Sequence, residues 1–373
     1  MWFPGQNIQD SGPACESLQV GIPFGLPPGA PVWRYNGGPM SELRVYERIS
    51  DAVGWTPLVR LRRVLGGAGK GPGGEAFAKI EFMNPMGSVK DRIARFMIHK
   101  ALSDGVLHPG DVVVENSSGN TAMGLAMMAV LEGLHCKMVV RSQTSKEKLD
   151  CLRAMGVELI LVDGTLPPAH PESYNQKAKQ VVAETPGAYF TDQHNNRANS
   201  EAHYRTTGPE IWRQMEGRID YLVAGMGTGG TLCGTARYLK EQDPRIRVIA
   251  VDPLGSVFYS YFKTGRPGEP KPGLLEGLGD EEVIGCPEWD LIDDMVQVTD
   301  REAFLAAREL ARTEAILAGG SSGAALCGVR KVVARLERPA RIVTVFPDSG
   351  SRYMSTIYSD DWMRSRGFLD GVE

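Results

Sequence analysis

The sequence predicts an α/β fold built from two lobes, each a twisted and mostly parallel sheet flanked by helices. From residue 43 onward, short runs of Val, Ile, Leu and Phe alternate with stretches of helical period, which is typical of parallel sheets covered by helices. A chain of 373 residues is long enough to bury a large core and commonly divides into two lobes. The hydrophobic share of 42% and the charged share of 23% are ordinary for a soluble globular protein.

Charge, hydropathy and cysteine usage argue against several classes of protein. The net charge of −4 gives no indication of binding to nucleic acid or to an anionic membrane. The longest apolar run, 121–131, is far shorter than the roughly 18 residues of a membrane span, and the N-terminus lacks the basic and apolar regions of a signal peptide. The six cysteines form no C-x-x-C pair, which argues against a zinc site or a disulfide framework. We therefore expect a cytoplasmic protein with reduced thiols and no bound metal.

The elements begin after a Pro- and Gly-rich extension over residues 1–42. Strands are predicted at 75–82, 111–115, 136–140, 158–162, 221–224, 247–251 and 341–346. Helices are predicted at 43–53, 91–103, 121–132, 145–155, 173–184, 201–215, 230–242, 301–315 and 323–336. The residues suited to chemistry are concentrated in the loops between these elements.

A lysine stands on a small-residue turn, Asn84-Pro85-Met86-Gly87-Ser88-Val89-Lys90, between a predicted strand and a predicted helix. A lysine alone is most often a solvated surface residue. Lys90 gains significance because later Gly- and Ser-rich loops are suited to hold one phosphorylated, planar cofactor, to which a lysine can be joined covalently.

Two of these loops lead from a strand into a helix, where backbone N–H groups and the helix dipole favour anions. The first, 115–121, combines three hydroxyl side chains with the amide of Asn120, which is more than capping requires. The second, 225–231, has four glycines that let the backbone approach an anion closely. We expect both loops to bind a ligand.

The second loop also permits a different interpretation. Gly225-x-Gly227-x-x-Gly230, with Asp252 at the end of the next strand, matches the spacing of a dinucleotide fingerprint. A nicotinamide-dependent oxidoreductase is therefore one hypothesis, although it gives no role to Lys90 or to the Asn120 loop. A structural or binding protein that uses no cofactor is another.

Two further loops complete the set. Gly319-Gly320-Ser321-Ser322-Gly323 opens a helix, and Pro347-Asp348-Ser349-Gly350-Ser351 follows the last strand. We expect all four loops, and the turn at Lys90, to lie at the carboxyl ends of strands, where open α/β sheets bind their ligands.

Six motifs make the chain resemble the pyridoxal-phosphate β-family, which includes cysteine synthase and the catalytic core of cystathionine β-synthase. They are NPMGSVKDR at Lys90, SSGNT at Asn120, TTGPEIW from Thr206, GTGGT from Gly227, GGSSG at Ser321 and PDSGSRY from Pro347. The resemblance extends over about 53–362, with the motifs in the family's order. It implies the tryptophan synthase β-like architecture (PLP fold type II), with a smaller substrate-closing domain of 43–53 and 82–196 and a larger cofactor-phosphate domain of 54–81 and 197–373.

The resemblance implies a role for each matching residue. Lys90 would form the Schiff base with pyridoxal 5'-phosphate and move the α-proton, Asn120 would bond to the cofactor's 3-hydroxyl, and Ser321, with Ser322 as the alternative, would face the pyridine nitrogen. The cofactor phosphate would be held by Gly227, Thr228, Gly229, Gly230 and Thr231. The substrate carboxylate would be held by Ser117, Ser118, Gly119, Thr121 and Gln193. A neutral serine at the pyridine nitrogen would weaken the ring as an electron sink, which favours β-elimination followed by addition of a nucleophile.

These roles imply β-replacement on an L-serine derivative (serine, O-acetylserine or O-phosphoserine) through an aminoacrylate. A sulfur nucleophile, giving cysteine or cystathionine, is the first expectation. The alternative is an amine nucleophile giving a 2,3-diaminopropionate-type product for siderophores or antibiotics, because the ending from Arg352 to Trp362 resembles enzymes of that kind. Met86, Ala122-Met123 and the acidic residues 280–282 depart from the family's pattern, so the exact substrate stays open.

The resemblance also bears on partners. We expect a homodimer that acts on a small amino acid and a small nucleophile. Cys15 has no histidine near it in sequence, which predicts that no haem is bound. The short stretch after Trp362 predicts that no C-terminal regulatory domain pair is present.

Overall fold

The computed structural model describes residues 45–65, 73–166 and 170–371. The predicted extension over 1–42 with Cys15, the start of the predicted first helix, and residues 66–72 lie outside the described residues. Both sheets belong to one compact unit that begins at Tyr46. No helix in the described part of the chain is long and apolar enough to cross a bilayer.

Ten strands and eleven α-helices are described. The strands are β1 (Leu58–Leu61), β2 (Gly74–Ile80), β3 (Val112–Asn116), β4 (His135–Arg141), β5 (Glu158–Val162), β6 (Ala188–Phe190), β7 (Tyr221–Gly225), β8 (Arg247–Pro253), β9 (Asp294–Val298) and β10 (Ala340–Phe346). The helices are α1 (Lys90–Ser103), α2 (Asn120–Glu132), α3 (Lys146–Ala154), α4 (Tyr174–Glu184), α5 (Ala198–Arg205), α6 (Thr207–Gln214), α7 (Gly230–Gln242), α8 (Phe258–Thr264), α9 (Asp300–Thr313), α10 (Gly320–Val333) and α11 (Asp360–Ser365).

The strands form two sheets. The larger has six strands in the order β1-β2-β10-β7-β8-β9, and the smaller has four in the order β5-β4-β3-β6. All neighbouring strands run parallel except β1, which pairs with β2 in the antiparallel sense. The predicted fold class, two mostly parallel sheets with flanking helices, is confirmed.

Apolar residues on both faces of each sheet explain why the strands read as nearly continuous hydrophobic runs. In β7, Val223 packs into the cluster with α9 and α10, whereas its neighbours Leu222 and Ala224 pack into the cluster with α7. In the smaller sheet, Val113 faces α2 and Val114 faces α4. The period-2 alternation of side chains therefore buries the central residues of these strands on both faces.

Three predictions about elements are wrong. Within the described part of 43–53, only a single 3-10 turn, Ile49–Ala52, forms, since Ile49 is exposed and no apolar face is buried there. The predicted helix 201–215 is two helices, α5 and α6, because Pro209 has no N–H to bond the carbonyl four residues earlier. Strands β1, β6 and β9 and the short helices α8 and α11 were not predicted.

Candidate active site

Asp348, two residues after β10, joins three of the predicted loops. It forms a bridge with Ser88, two residues before Lys90. Its Oδ2 accepts a hydrogen bond from Nδ2 of Asn120 at 2.8 Å, and its backbone carbonyl accepts from the N–H of Gly319 at 3.1 Å. One residue therefore brings the Lys90 turn, the Asn120 loop and the Gly319 loop to a single place.

Lys90 is the first residue of α1 and is half-buried. The N–H of Val89 donates to the carbonyl of Pro347 at 2.8 Å, which fixes the start of the helix against the end of β10. Burial lowers the pKa of the Lys90 amine, while the nearby Cys286 and Asp348 act in the opposite direction. Among the described residues, the Lys90 ammonium has no ion-pair partner. A desolvated amine without a counter-ion has the properties of a lysine that acts as a nucleophile.

The Gly319 loop reaches the site by a route that the sequence did not predict. It connects α9 to α10 and does not follow a strand, so the prediction that all the loops lie at carboxyl ends of strands is wrong for this one. A bridge between Ala318 and Ser349 holds the loop beside the end of β10 instead. The loop consequently opens α10 at the same edge of the sheet as the others.

Two serines stand in the first turn of α10. Ser321 is 7% exposed, and its hydroxyl has no partner in the described part of the chain. Ser322 is fully buried, and its Oγ likewise finds no hydrogen-bond partner among the described residues. Ser321 is thus the serine that a ligand can reach, which agrees with the predicted choice between the two.

The loop 225–231 links β7 to the N-terminus of α7, and at its glycines other parts of the protein lie very close to the backbone. A Cβ on Gly227 would lie 2.3 Å from the carbonyl oxygen of Gly277, and one on Gly230 would lie 1.9 Å from Oδ1 of Asn199. Gly229 has φ of +79°, a conformation that favours glycine. The loop therefore presents backbone N–H groups at a helix N-terminus, the arrangement that binds phosphate.

Two threonines of this loop are held by side chains of α5. Nδ2 of Asn199 donates to Oγ1 of Thr228 at 2.9 Å, and Oγ1 of Thr231 lies 3.2 Å from Nε2 of His203. Burial lowers the pKa of His203 well below its ordinary value, so the imidazole is neutral. The hydroxyls are therefore positioned by uncharged partners.

The predicted carboxylate-binding residues come from two elements. Oγ1 of Thr121 in α2 donates to Oε1 of Gln193 at 2.7 Å, and the carbonyl of Gln193 accepts from Nδ2 of Asn199 at 2.8 Å. The remaining predicted members, Ser117, Ser118 and Gly119, lie in the turn that leads into α2. The structure thus brings Thr121, Gln193 and the phosphate-type loop into one hydrogen-bonded network.

Two carboxylates that sequence reasoning assigned no role support this network. Asp348 is one, and Glu115 at the end of β3 is the other. Glu115 is fully buried and accepts hydrogen bonds from Oγ1 of Thr191 at 2.6 Å and from the N–H of Gln193 at 3.1 Å. Burial raises its pKa to about 7. The sequence did contain a signal for Glu115, namely an acidic residue within an apolar strand. A buried carboxylate requires hydrogen-bond partners, so such a residue indicates a polar network.

The residues that depart from the family's pattern lie in different surroundings. Met86 and Met123 pack against the apolar cluster of the smaller sheet. Glu276 in the loop 275–280 pairs with Lys148 of α3 at 2.6 Å, so this ion pair connects the larger-sheet side to a helix of the smaller sheet. Nη2 of Arg352 donates to the carbonyl of Met86 at 2.5 Å. Arg352 thereby braces the Lys90 turn.

Asp252 does not have the environment of a ribose-binding acid. It is fully buried, and its Oδ2 accepts from the N–H of Tyr259 in α8 at 3.0 Å. Burial raises its pKa to about 7. The dinucleotide interpretation therefore loses the carboxylate on which it depended.

The side chains and loops fit a phosphorylated, planar cofactor that carries a carbonyl group. Lys90 supplies an amine for the carbonyl, the 225–231 loop supplies N–H groups for the phosphate, and Ser321 supplies a hydroxyl without a partner. The loop requires glycine at Gly227 and Gly230, because a Cβ at either would collide with Gly277 or Asn199. In the described part of the chain, no cluster of His, Cys, Asp and Glu could hold a metal ion.

Comparisons with known proteins give one family. A family model described as "Pyridoxal-phosphate dependent enzyme" matches residues 49–348. A cystathionine beta-synthase of Apis mellifera is 40% identical over 88% of this chain, which spans 64% of that protein. An N-(2-amino-2-carboxyethyl)-L-glutamate synthase of Ralstonia nicotianae is 39% identical, covering 86% of this chain and 91% of that protein. The crystal structure of an O-acetylserine dependent cystathionine beta-synthase from Helicobacter pylori superposes with a TM-score of 0.77 at 33% identity, covering 85% of this chain and 100% of that one.

Proposed function

Because the chain belongs to the family of pyridoxal-phosphate dependent enzymes, we propose that it catalyses β-replacement on an L-serine derivative, with Lys90 as the lysine that binds the cofactor. The observation that supports this most directly is the half-buried Lys90 amine, without a counter-ion among the described residues, beside Asp348. The loops that meet there supply a phosphate cradle and the Thr121–Gln193 pair.

Different residues of the chain would have different roles in this reaction. Bound pyridoxal phosphate supplies an electron sink that makes the substrate's Cα–H acidic. The N–H groups and hydroxyls of 227–231 hold its phosphate at the N-terminus of α7. Asn120, oriented by its bond to Asp348, and Ser321 would bind polar atoms of its ring. The first turn of α2, with Gln193, binds the substrate carboxylate, and Nζ of Lys90 takes the Cα proton and returns it.

A sulfur nucleophile is our first assignment. Two proteins similar to this chain carry the name cystathionine beta-synthase, and one of them is described as dependent on O-acetylserine. In this version, the leaving group is a hydroxyl, acetate or phosphate. The nucleophile is a thiol or sulfide. The product is cysteine or cystathionine.

An amine nucleophile is the second candidate. The N-(2-amino-2-carboxyethyl)-L-glutamate synthase is 39% identical to this chain, nearly the same as the 40% of the honeybee cystathionine beta-synthase. In this version, glutamate or a similar amine replaces the β-substituent, and the product is of the 2,3-diaminopropionate type.

The visible spectrum of the purified protein tests the cofactor assignment. We expect the absorption band of a lysine-linked pyridoxal cofactor in the wild type and in Lys100→Ala, and its loss in Lys90→Ala. Lys100 is the matched control, since it lies on the same helix but is exposed and paired with Asp104 at 2.6 Å. A colourless wild-type protein that binds NADH would contradict the proposal.

Product analysis then separates the two versions. Serine, O-acetylserine and O-phosphoserine are each incubated with sulfide, homocysteine or glutamate, and the products are identified by mass spectrometry. A thioether or cysteine product supports the sulfur version, and a new C–N bond supports the amine version. If no combination gives a product, the β-replacement assignment is wrong.

A further inference from the structure

His194 lies at the site, although the proposed roles do not use it. It follows Gln193 directly, in the loop between β6 and α5. Its carbonyl accepts from the N–H of Cys286 at 2.9 Å, and Oδ1 of the adjacent Asn195 accepts from the N–H of Gly285 at 3.0 Å. Two hydrogen bonds therefore hold residues 194–195, which carry the imidazole, against the 285–286 segment.

The imidazole faces charged groups from three elements. Its Nε2 lies 4.0 Å from Oδ2 of Asp280, at the end of the loop 275–280. Asp192 on its own loop and Lys90 on α1 also act on its charge. Burial is the largest influence and lowers the pKa of His194 below its ordinary value of 6.5. A half-buried, neutral imidazole at pH 7 has a free nitrogen lone pair that can accept a proton.

Replacement chemistry needs such an acceptor. A thiol with an ordinary pKa near ~8.5, or an α-ammonium near ~8, arrives mostly protonated at pH 7. The thiol must lose its proton by the time it attacks, and the ammonium must lose one before it can attack. In the proposed function, Lys90 is occupied with the proton of Cα. A separate base close to Lys90 lets the two proton transfers proceed without competition.

We propose that His194 is the general base that takes the proton of the incoming nucleophile, and that Asp280 stabilises the resulting imidazolium. A thiol passes its S–H proton to the imidazole as sulfur bonds to the substrate's β-carbon, which the leaving group has vacated, whereas an ammonium passes its N–H proton first and then attacks as the free amine. Lys90 returns its proton to Cα, and His194 later releases the acquired proton to solvent at its exposed edge. This assignment rests on the proposed function and adds the residue that activates the second substrate.

The test compares His194→Gln with the wild type, using the serine derivative and the nucleophile that the wild type accepts. His108→Gln is the matched control, because His108 is an exposed histidine outside the site whose side chain is 68% exposed. We measure kcat/KM for each substrate between about pH 5.5 and 8.5. In the wild type, kcat/KM for the nucleophile rises with pH as His194 loses its proton, since the imidazolium cannot accept another.

We expect His194→Gln to lower kcat/KM for the nucleophile by about 100-fold, at the lower end of what a general base contributes. The loss for the serine derivative is at least tenfold smaller, and the low-pH limb for the nucleophile disappears. Asp280→Asn gives the same pattern to a lesser degree. Added imidazole restores the nucleophile step of His194→Ala, which a structural role would not allow.

Equal losses for both substrates, an unchanged pH profile in His194→Gln, or no restoration by imidazole would each overturn the assignment. If the wild type is coloured and forms product, and His194→Gln has the same kcat/KM values as His108→Gln, the inference about His194 is wrong and the proposed function is unaffected. A wild type without cofactor or product contradicts the proposed function as well.

Discussion

Replacing Arg92 with methionine should destabilise the protein more than most single substitutions. Arg92 lies in the first turn of α1, two residues after Lys90, with its side chain 1% exposed. Its guanidinium bonds both oxygens of Glu81, at 2.6 and 2.8 Å, and both oxygens of Glu210, at 2.7 and 2.8 Å. Lys79 also pairs with Glu210, at 2.7 Å. The substitution removes the cation that two buried carboxylates share.

The size of the expected loss of stability depends on which carboxylate loses its ion-pair partner. Glu210 retains Lys79, whereas Glu81 retains hydrogen bonds from Thr56 and Asn84 but no direct ion pair among the described residues. Removing one partner of a buried pair costs about 3–5 kcal/mol, because the remaining charge stays desolvated. A typical domain has a free energy of unfolding of only about 5–15 kcal/mol. The variant should therefore lose about a fifth or more of its stability.

Equilibrium unfolding in urea measures this loss without changing the ionic strength. Arg95→Met is the matched control on the same helix, because Arg95 is 36% exposed and its nearest carboxylate, Asp51, is 3.6 Å away. An exposed pair of this kind contributes about 0–1 kcal/mol. We expect the midpoint to fall clearly for Arg92→Met and to remain nearly unchanged for Arg95→Met.

The pH dependence has a defined sign. Burial alone would raise the pKa of Glu81 and of Glu210, but the charge and hydrogen bonds of Arg92 outweigh it and hold both below the ordinary value of 4.5. A carboxyl group with a lowered folded pKa contributes stability above its unfolded pKa and loses that contribution as the pH falls. The deficit of Arg92→Met should thus be largest near pH 7 and shrink below pH 4.5. A deficit under about 1 kcal/mol at pH 7, or one that is independent of pH, would refute the reasoning.

Two further substitutions test the loop and the buried acid of the larger sheet. Gly227→Ala places a Cβ 2.3 Å from a backbone carbonyl, so we expect a loss of about 1–3 kcal/mol in urea unfolding and weaker retention of the cofactor band. Gly273→Ala, where the nearest atom is 3.8 Å away, should do neither, and equal behaviour of the two would contradict the steric argument. Asp252→Asn should gain stability over the wild type as the pH rises from the ordinary pKa of 3.8 to about 7, since burial raises the pKa of Asp252 and the unfolded chain ionises first. The difference in unfolding free energy between about pH 4.5 and about pH 7.5 measures this, and a constant difference would contradict it.

The periodic parts of the fold were predictable from sequence. Strands such as β7 and helices such as α7 were placed at or near their observed bounds, because residues buried on both faces of a parallel sheet form unbroken apolar runs. Strand β9 was missed because Asp294 and Gln297 interrupt its apolar pattern. The break at Thr206 was missed because the helical period continues through it, although Pro209 gave a local signal.

The motifs of the site were predictable, but the contacts that assemble them were not. Lys90, Asn120 and Ser321 were found because each lies in a loop of unusual composition. The bond from Asn120 to Asp348 and the approach of His194 to Asp280 join residues far apart in sequence, for which a single chain carries no periodic signal. The limits of the two domains, the homodimer and the cytoplasmic location stay predictions.

The central position of β10 has a consequence for how the protein is made. This strand is the last in the chain, yet it lies between β2 and β7 and pairs with both. Until the ribosome has released residues 340–346, the larger sheet consists of two separate parts with unpaired edges, which are prone to non-native pairing. The 228 residues that separate Asn120 from Asp348 also make their contact a late one. The turn at Lys90 therefore gains its contacts with Pro347 and Asp348 only after the chain has been synthesised through Asp348.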